Sequence, residues 1–157
     1  MREITLTRGK VALVDSADFD SLNSRKWYAA SCGGRFYAAS RIDGHIVYMH
    51  RQIAKPGNLY VDHINGNSLD NRRDNLRACS SSENLANTRV SKANSSGFKG
   101  VYYSKARAKW IAQKRIDGRT FNLGGFDTAQ QAALAYDEAA VAAFGQFALT
   151  NQSLGLL

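Results

Sequence analysis

The 157 residues hold only two cysteines, Cys32 and Cys79, far apart and in no CxxC pair. Neither a disulfide framework nor a cysteine-based structural zinc site is implied. Long apolar runs are missing as well: none approaches the roughly 20 residues that a helix needs to span a bilayer. The opening MREITLTRGK has none of the apolar character of a secretory signal. These absences predict a soluble, cytoplasmic protein with no membrane partner. Acidic side chains are scarce, 13 Asp and Glu against 21 Lys and Arg, for a net charge of +8 and a pI near 9.7. A surplus of that sign fits a protein that meets a polyanion, nucleic acid foremost.

The length allows one ordinary domain or two small ones, since a core can form from roughly 50 residues upward. Residues 90–97, Val-Ser-Lys-Ala-Asn-Ser-Ser-Gly, contain almost nothing large and apolar, and their Ser, Asn and Gly are turn formers. A boundary is predicted there: a first domain over 1–90, a linker over 91–96 and a second domain over 97–151. Residues 1–95 carry 14 basic and 9 acidic side chains and residues 96–157 carry 7 and 4, so the halves are basic at +5 and +3 separately. Both are fitted to touch one polyanion.

The first half reads as short strands over 4–14, 26–42 and 46–49, broken by Gly33-Gly34 and Asp43-Gly44, the latter a hairpin signal. Another short strand, 59–61, follows Pro56-Gly57. Ser80 and Glu83 have capping-box spacing, so a helix starts near Ser81 and carries Glu83, Asn84 and Asn87. The second half reads as strands over 100–103, 109–116 and 119–123, with Asp117-Gly118 turning the last two. An Ala-rich helix over 128–144 follows, capped by Thr128 with Gln131 and ended by Gly145.

Chemistry concentrates in residues 61–87, VDHINGNSLDNRRDNLRACSSSENLAN. A strand ends in Asp62-His63, a polar loop follows, and a capped helix presents Asn84. Asp62 and Asn84 offer two oxygen ligands. His63 is the one side-chain type whose ordinary pKa, about 6.5, suits a base near neutrality. Oxygen donors suit a hard cation such as Mg²⁺, which keeps several waters and binds one or two protein groups plus substrate phosphate. Such a set fits hydrolysis of a phosphodiester, although an Asp-His pair before a turn is also a common surface feature.

The ordered run DHINGN, DNLR and SENLAN, with Met49-His50-Arg51 upstream, resembles the HNH endonucleases of the ββα-metal type. It is closest to the phage and intron-homing branch, in which Asn replaces the last His. The resemblance implies that Asp62 and Asn84 hold one divalent metal ion, Mg²⁺ before Mn²⁺, and that His63 is the general base. It also implies that Asn75 holds the loop and orients the His63 ring. Asn87 reads as a local cap and His50 as a packing neighbour of the site. Arg72, Arg73 and above all Arg77 are candidates for backbone phosphates.

Residues 96–151 resemble the AP2 DNA-binding domain, known from plant transcription factors and from phage HNH nucleases. Gly97-Phe-Lys-Gly-Val-Tyr102, Lys109-Trp-Ile-Ala112, the run from Phe121 through Val141, and Phe144-Gly145 carry the likeness. It implies a three-stranded antiparallel sheet backed by one helix, with the free face of the sheet in the major groove of double-stranded DNA. Between Gly97 and Leu123 seven basic side chains and one acidic one are interleaved with aromatics. Lys105, Arg107, Trp110, Gln113, Arg115 and Arg119 are the DNA-binding candidates, with core as the competing place for Trp110 and the favoured one for Phe121. Tyr103 and Ser104 stand where the plant pattern has arginines, so base specificity does not carry over.

The whole chain is thus expected to be α+β, a ββα-metal nuclease domain followed by an AP2-like domain. The function expected is metal-dependent endonuclease, with no small-molecule cofactor. A DNA-binding protein that keeps an HNH scaffold without cutting is the alternative. An RNA-binding module fits less well, since no RNP-like or KH-like signature is present.

Overall fold

A computed structural model describes residues 1–91 and 93–157; Lys92, in the predicted linker, lies outside the described residues. The chain divides into two compact units, Met1–Ser80 and Ser81–Leu157. In the first, strands β1 (Arg2–Thr5) and β2 (Val11–Val14) form a hairpin that leads into helix α1 (Ser16–Asn23). Strands β3 (Tyr28–Cys32), β4 (Arg35–Ile42) and β5 (His45–Tyr48) then make an antiparallel three-stranded sheet. Its turns are the Gly33-Gly34 and Asp43-Gly44 pairs, and all four residues have positive φ. That is the backbone twist a two-residue hairpin turn demands.

Helix α2 (Met49–Ala54) follows at once, and then the antiparallel pair β6 (Tyr60–His63) and β7 (Leu76–Cys79). The expected strand over 46–49 therefore ends at Tyr48, and Met49 opens a helix instead. Ile4, Leu6, Val14, Leu22, Trp27, Met49 and Ile53 form the core, with Phe36, Leu69 and Leu76 packed against it. Helix α2 packs on both β6 and β7.

The second unit opens with the short helix α3 (Ser81–Ala86). Strands β8 (Val101–Ser104), β9 (Lys109–Ile116) and β10 (Arg119–Phe126) form an antiparallel sheet with β9 in the middle, and helix α4 (Ala129–Phe144) covers one face. Thr128 and Gln131 make the predicted reciprocal cap. Alanine at 129, 132, 133 and 140 lets α4 sit close to Val101 and Ala112. Gly100 is required by that closeness: its φ is +74°, and a Cβ there would lie 2.0 Å from the Tyr136 ring. Among the described residues no helix is long and apolar enough to cross a membrane.

Candidate active site

Asp62 and His63 are the last two residues of β6, and both are buried. Asp62 pairs across the ladder with Arg77, and His63 with Leu76. The Arg77 guanidinium donates from Nε and Nη2 to Asp62 Oδ2, at 2.9 and 2.7 Å.

The loop from Ile64 to Asn75 is held by its own polar side chains. Asn75 Oδ1 accepts from the Asn65 amide at 3.0 Å, and Asn75 Nδ2 donates to the Asp70 carbonyl at 2.7 Å. Asn65 Nδ2 donates to Asp70 Oδ2 at 2.8 Å, and Arg72 closes on the same carboxylate with two bonds, at 2.7 and 2.6 Å. The far side of the loop is stitched to β2, where Leu13 exchanges backbone bonds with Leu69 and Asn71. Ser68 Oγ donates to the Phe36 carbonyl at 2.6 Å. Both side-chain bonds of Asn75 go to the backbone of the loop, and neither goes to the His63 ring.

The ring contact belongs to a residue that the sequence reading missed, the fully buried Asn71. Its Nδ2 donates to the Leu69 carbonyl at 3.2 Å, which turns Oδ1 toward His63 Nε2 at 3.4 Å. An oxygen in that place accepts, so it favours the tautomer with hydrogen on Nε2 and the lone pair on Nδ1. Asn71 carried no separate signal in the sequence, where it is one of several Asn in a polar loop.

Burial pushes the His63 imidazole below its ordinary pKa, and Asn71, Asp62 and Asp70 oppose that shift without cancelling it. His50, on α2, packs edge-on to His63 with ring centroids 5.3 Å apart and stacks on Tyr48 at 5.5 Å. Burial, then His63 and Arg51, lower its pKa to about 3, and its Nδ1 is buried without a hydrogen-bond partner among the described residues. The expectation that His50 packs beside the site agrees with this placement.

The arginines around the motif are engaged with carboxylates: Arg72 with Asp70, Arg73 with Asp18 and Arg77 with Asp62. Arg72 and Arg73, the weaker of the three phosphate candidates, each make two bonds to one carboxylate. Asn84 is half-buried on α3, and Asn87 lies one residue beyond that helix. Both belong to the second unit, where Lys99 Nζ donates to the carbonyls of Ala86 and Leu149 at 2.6 and 2.9 Å and so fastens the end of α3.

No group of three His, Cys, Asp or Glu side chains able to hold a metal ion occurs among the described residues. A hard cation that keeps its waters needs only one or two protein oxygens, a donor chemistry that Asp62 in the first unit and Asn84 in the second each carry.

In the second unit the alternation of β9 separates the candidates. Ala112 and Lys114 face α4, where Lys114 Nζ donates to the Tyr136 hydroxyl at 3.0 Å, whereas Gln113 and Arg115 are exposed on the other face. Trp110 shares the helix-facing set, packs against the core and meets Tyr103 edge-on with centroids 5.2 Å apart. Lys105 and Arg107, in the turn after β8, and Arg119, at the start of β10, are exposed. Phe121, for which the core is the favoured place, is instead 48% exposed, opposite Lys114 in the β9–β10 ladder.

Strand β6 thus ends in Asp-His beside its partner β7, and the second unit is a three-stranded antiparallel sheet on one helix. The HNH endonuclease family model matches residues 47–86, and the AP2 domain model matches residues 96–146. Protein 3.8 of Escherichia phage T7 is 37% identical over 81 residues, 52% of this chain and 67% of that protein. The uncharacterized HNH endonuclease L560 of Acanthamoeba polyphaga mimivirus is 29% identical over 152 residues, 92% and 76% of the two chains. The ethylene-responsive transcription factor ERF069 of Arabidopsis thaliana is 36% identical over 98 residues, 59% of each. No solved structure matches the chain at a comparable level. The chain belongs to the HNH endonuclease family and carries an AP2 domain.

Proposed function

We propose that the protein is a divalent-metal-dependent endonuclease that hydrolyses phosphodiester bonds of double-stranded DNA and is directed to its target by the AP2 sheet. In this reading Asp62 and Asn84 hold the ion, Mg²⁺ or failing that Mn²⁺, and His63 is the general base. Asn75 braces the loop between them in sequence. When bound, the ion supplies a Lewis acid against the charge that grows on the leaving 3′ oxygen. His63 takes a proton from the attacking water, and the products are a 3′ hydroxyl and a 5′ phosphate. On this reading the nuclease domain spans 1–90, a linker 91–96 and the DNA-binding domain 97–151, with residues 81–90 packed in the second compact unit.

One observation carries the assignment of the base. His63 stands beside Asp62 at the end of a strand, is buried, and has its ring nitrogen against the anchored Asn71 oxygen. A base must be neutral before it takes a proton, and burial favours the neutral ring. Gln113 and Arg115 on the exposed face of β9, with Lys105, Arg107 and Arg119, are the contacts proposed for DNA. Trp110 supports that surface from the helix side, and Arg77 aligns Asp62.

Purified protein with Mg²⁺ or Mn²⁺ should cleave DNA, and EDTA should stop it. His63→Ala should lower the cleavage rate by about 10²–10⁴ while leaving DNA affinity nearly unchanged. Cleavage by His63→Ala at the parent rate would remove His63 from the base role. Tight DNA binding by a parent protein that never cuts would establish the non-catalytic alternative.

A further inference from the structure

Two lysines of the second unit, Lys99 and Lys114, are only 9% and 6% exposed. Taking an ammonium group out of water is costly unless an opposite charge meets it. Among the described residues neither lysine forms an ion pair. Lys99 Nζ donates to the carbonyls of Ala86 and Leu149, and Lys114 Nζ to the Tyr136 hydroxyl. The Tyr136 and Phe144 rings lie 4.9 and 4.8 Å from Lys114 Nζ. The buried carboxylate of the unit, Asp137, is taken up by Asn151 and the Gln152 amide. Neutral groups thus hold both cations in place without cancelling their charge.

Both lysines line one cavity of about 670 Å³, whose walls all come from the second unit. One wall is α3, with Ser81, Ser82 and Leu85. The facing wall is β9 beyond Ala112, where β8 has ended and one edge of the strand is open. Tyr136 ties the two lysines together: its hydroxyl takes the Lys114 bond, and its ring lies where a Cβ on Gly100, next to Lys99, would come within 2.0 Å. An open strand edge can be reached from both faces, so Arg115 also lines the cavity, although its side chain starts on the face opposite to that of Lys114. Against these three cations stands only Asp117, which already accepts from Ser82 Oγ at 2.9 Å. The lining keeps two positive charges in excess. It also draws on both family matches, α3 from one and the sheet with α4 from the other, so neither match contains it.

A volume of several hundred Å³ is that of a small-molecule site and exceeds the needs of a bare ion. Two surplus positive charges suit a phosphate monoester, which carries about −1.5 to −2 near pH 7. Hydroxyls of Ser81, Thr88 and Thr120 and the Gln113 amide are left for a sugar and a base. Nucleotides and phosphorylated strand ends are the monoesters that accompany nucleic-acid cleavage, the chemistry of the family. We propose that this cavity binds the phosphate monoester of a nucleotide, with Lys99 and Lys114 as its anchors. The ligand is a free mononucleotide or the 5′-phosphate at the end of a DNA strand, which share this chemistry. The site goes beyond the endonuclease reading and stands whether or not His63 is the base.

The test titrates the full chain with the four deoxynucleoside 5′-monophosphates and with the same nucleosides lacking phosphate, by calorimetry and by backbone amide NMR. At least one monophosphate should bind with a Kd below about 1 mM, and its nucleoside at least about 10-fold more weakly. Amide shifts should cluster at residues 81–85, 99–100 and 113–115, and not in the turn 105–108, which does not line the cavity. Lys99→Met and Lys114→Met should each weaken binding about 10-fold or more. Arg89→Gln, which removes an exposed charge outside the cavity, should bind as the parent does.

Lys99 also fastens α3, so Lys114→Met decides the matter if Lys99→Met fails to fold, and the shift map decides it without either variant. A short duplex with 5′-phosphates that displaces the mononucleotide, where its 5′-hydroxyl twin does not, makes the strand end the ligand. Displacement by neither duplex makes it the free nucleotide. Equal displacement by both would overturn the preference for a monoester. No binding up to about 10 mM, equal affinity for the bare nucleosides, or shifts confined to residues 105–108 would overturn the site itself. Loss of cleavage in His63→Ala bears on the nuclease reading alone, so the two can fail separately.

Discussion

His63, which is buried, and His50, which is half-buried, lie edge to face in one cluster with Tyr37 and Tyr48, so a proton on either ring would be poorly solvated and close to the other. The folded chain therefore rejects protons that the unfolded chain accepts. For His50 the ordinary value of 6.5 falls to about 3. Above pH 6.5 both states leave it neutral and nothing is lost. As pH falls from 6.5 toward 3, only the unfolded state binds the proton, and stability drops by up to about 1.4 kcal/mol per pH unit. His63 is shifted in the same direction. With EDTA present, the thermal midpoint of the first unit should fall between pH 7 and pH 4.5. In His50→Phe that fall should be clearly smaller, since His63 alone remains to drive it and an unpartnered buried nitrogen is gone. An identical fall in both proteins would mean that His50 titrates normally.

Elements were legible where local chemistry dictates them. Asp43-Gly44 and Asp117-Gly118 take the positive φ their sequences invite, and Thr128 with Gln131 caps α4 as the spacing requires. Helices α1 and α2 were not, being only eight and six residues long and embedded among β-type segments. Short helices draw their stability from tertiary packing, which a one-dimensional pattern does not display.

The site follows the same rule. Asp62-His63 could be read directly, whereas Asn71 and the Arg73–Asp18 pair, 55 residues apart, depend on how the chain returns on itself. Asn151 is a further case: wholly buried, it bonds to Asp137 and to the backbone of Lys99 across 52 residues. Gly100 belongs to that junction. Gly100→Ala would both strain a left-handed residue and drive a methyl into the Tyr136 ring, so it should destabilise the second unit by about 3 kcal/mol. Chemical denaturation checks this, and a loss below about 1 kcal/mol would mean that Tyr136 moves aside freely.

At the scale of the whole chain, charge and motif number point in different directions. Net +8, spread over both halves, favours lasting attachment to DNA through many phosphates. The chain nevertheless has one Asp-His motif, and on the proposed reading its single base would serve one phosphodiester per alignment. The two strands of a duplex run in opposite directions, so a second cut needs either a reoriented molecule or a second copy. Supercoiled plasmid at dilute protein should therefore pass first to open circles. Linear molecules should appear only after a lag, as second nicks fall opposite earlier ones. Raising salt should slow both steps together, because attachment precedes each of them. A lag that shortens with rising protein concentration until linear product forms directly would identify paired copies as the cutting species. Linear product without a lag at the lowest concentrations that cut would show that the one-site argument fails.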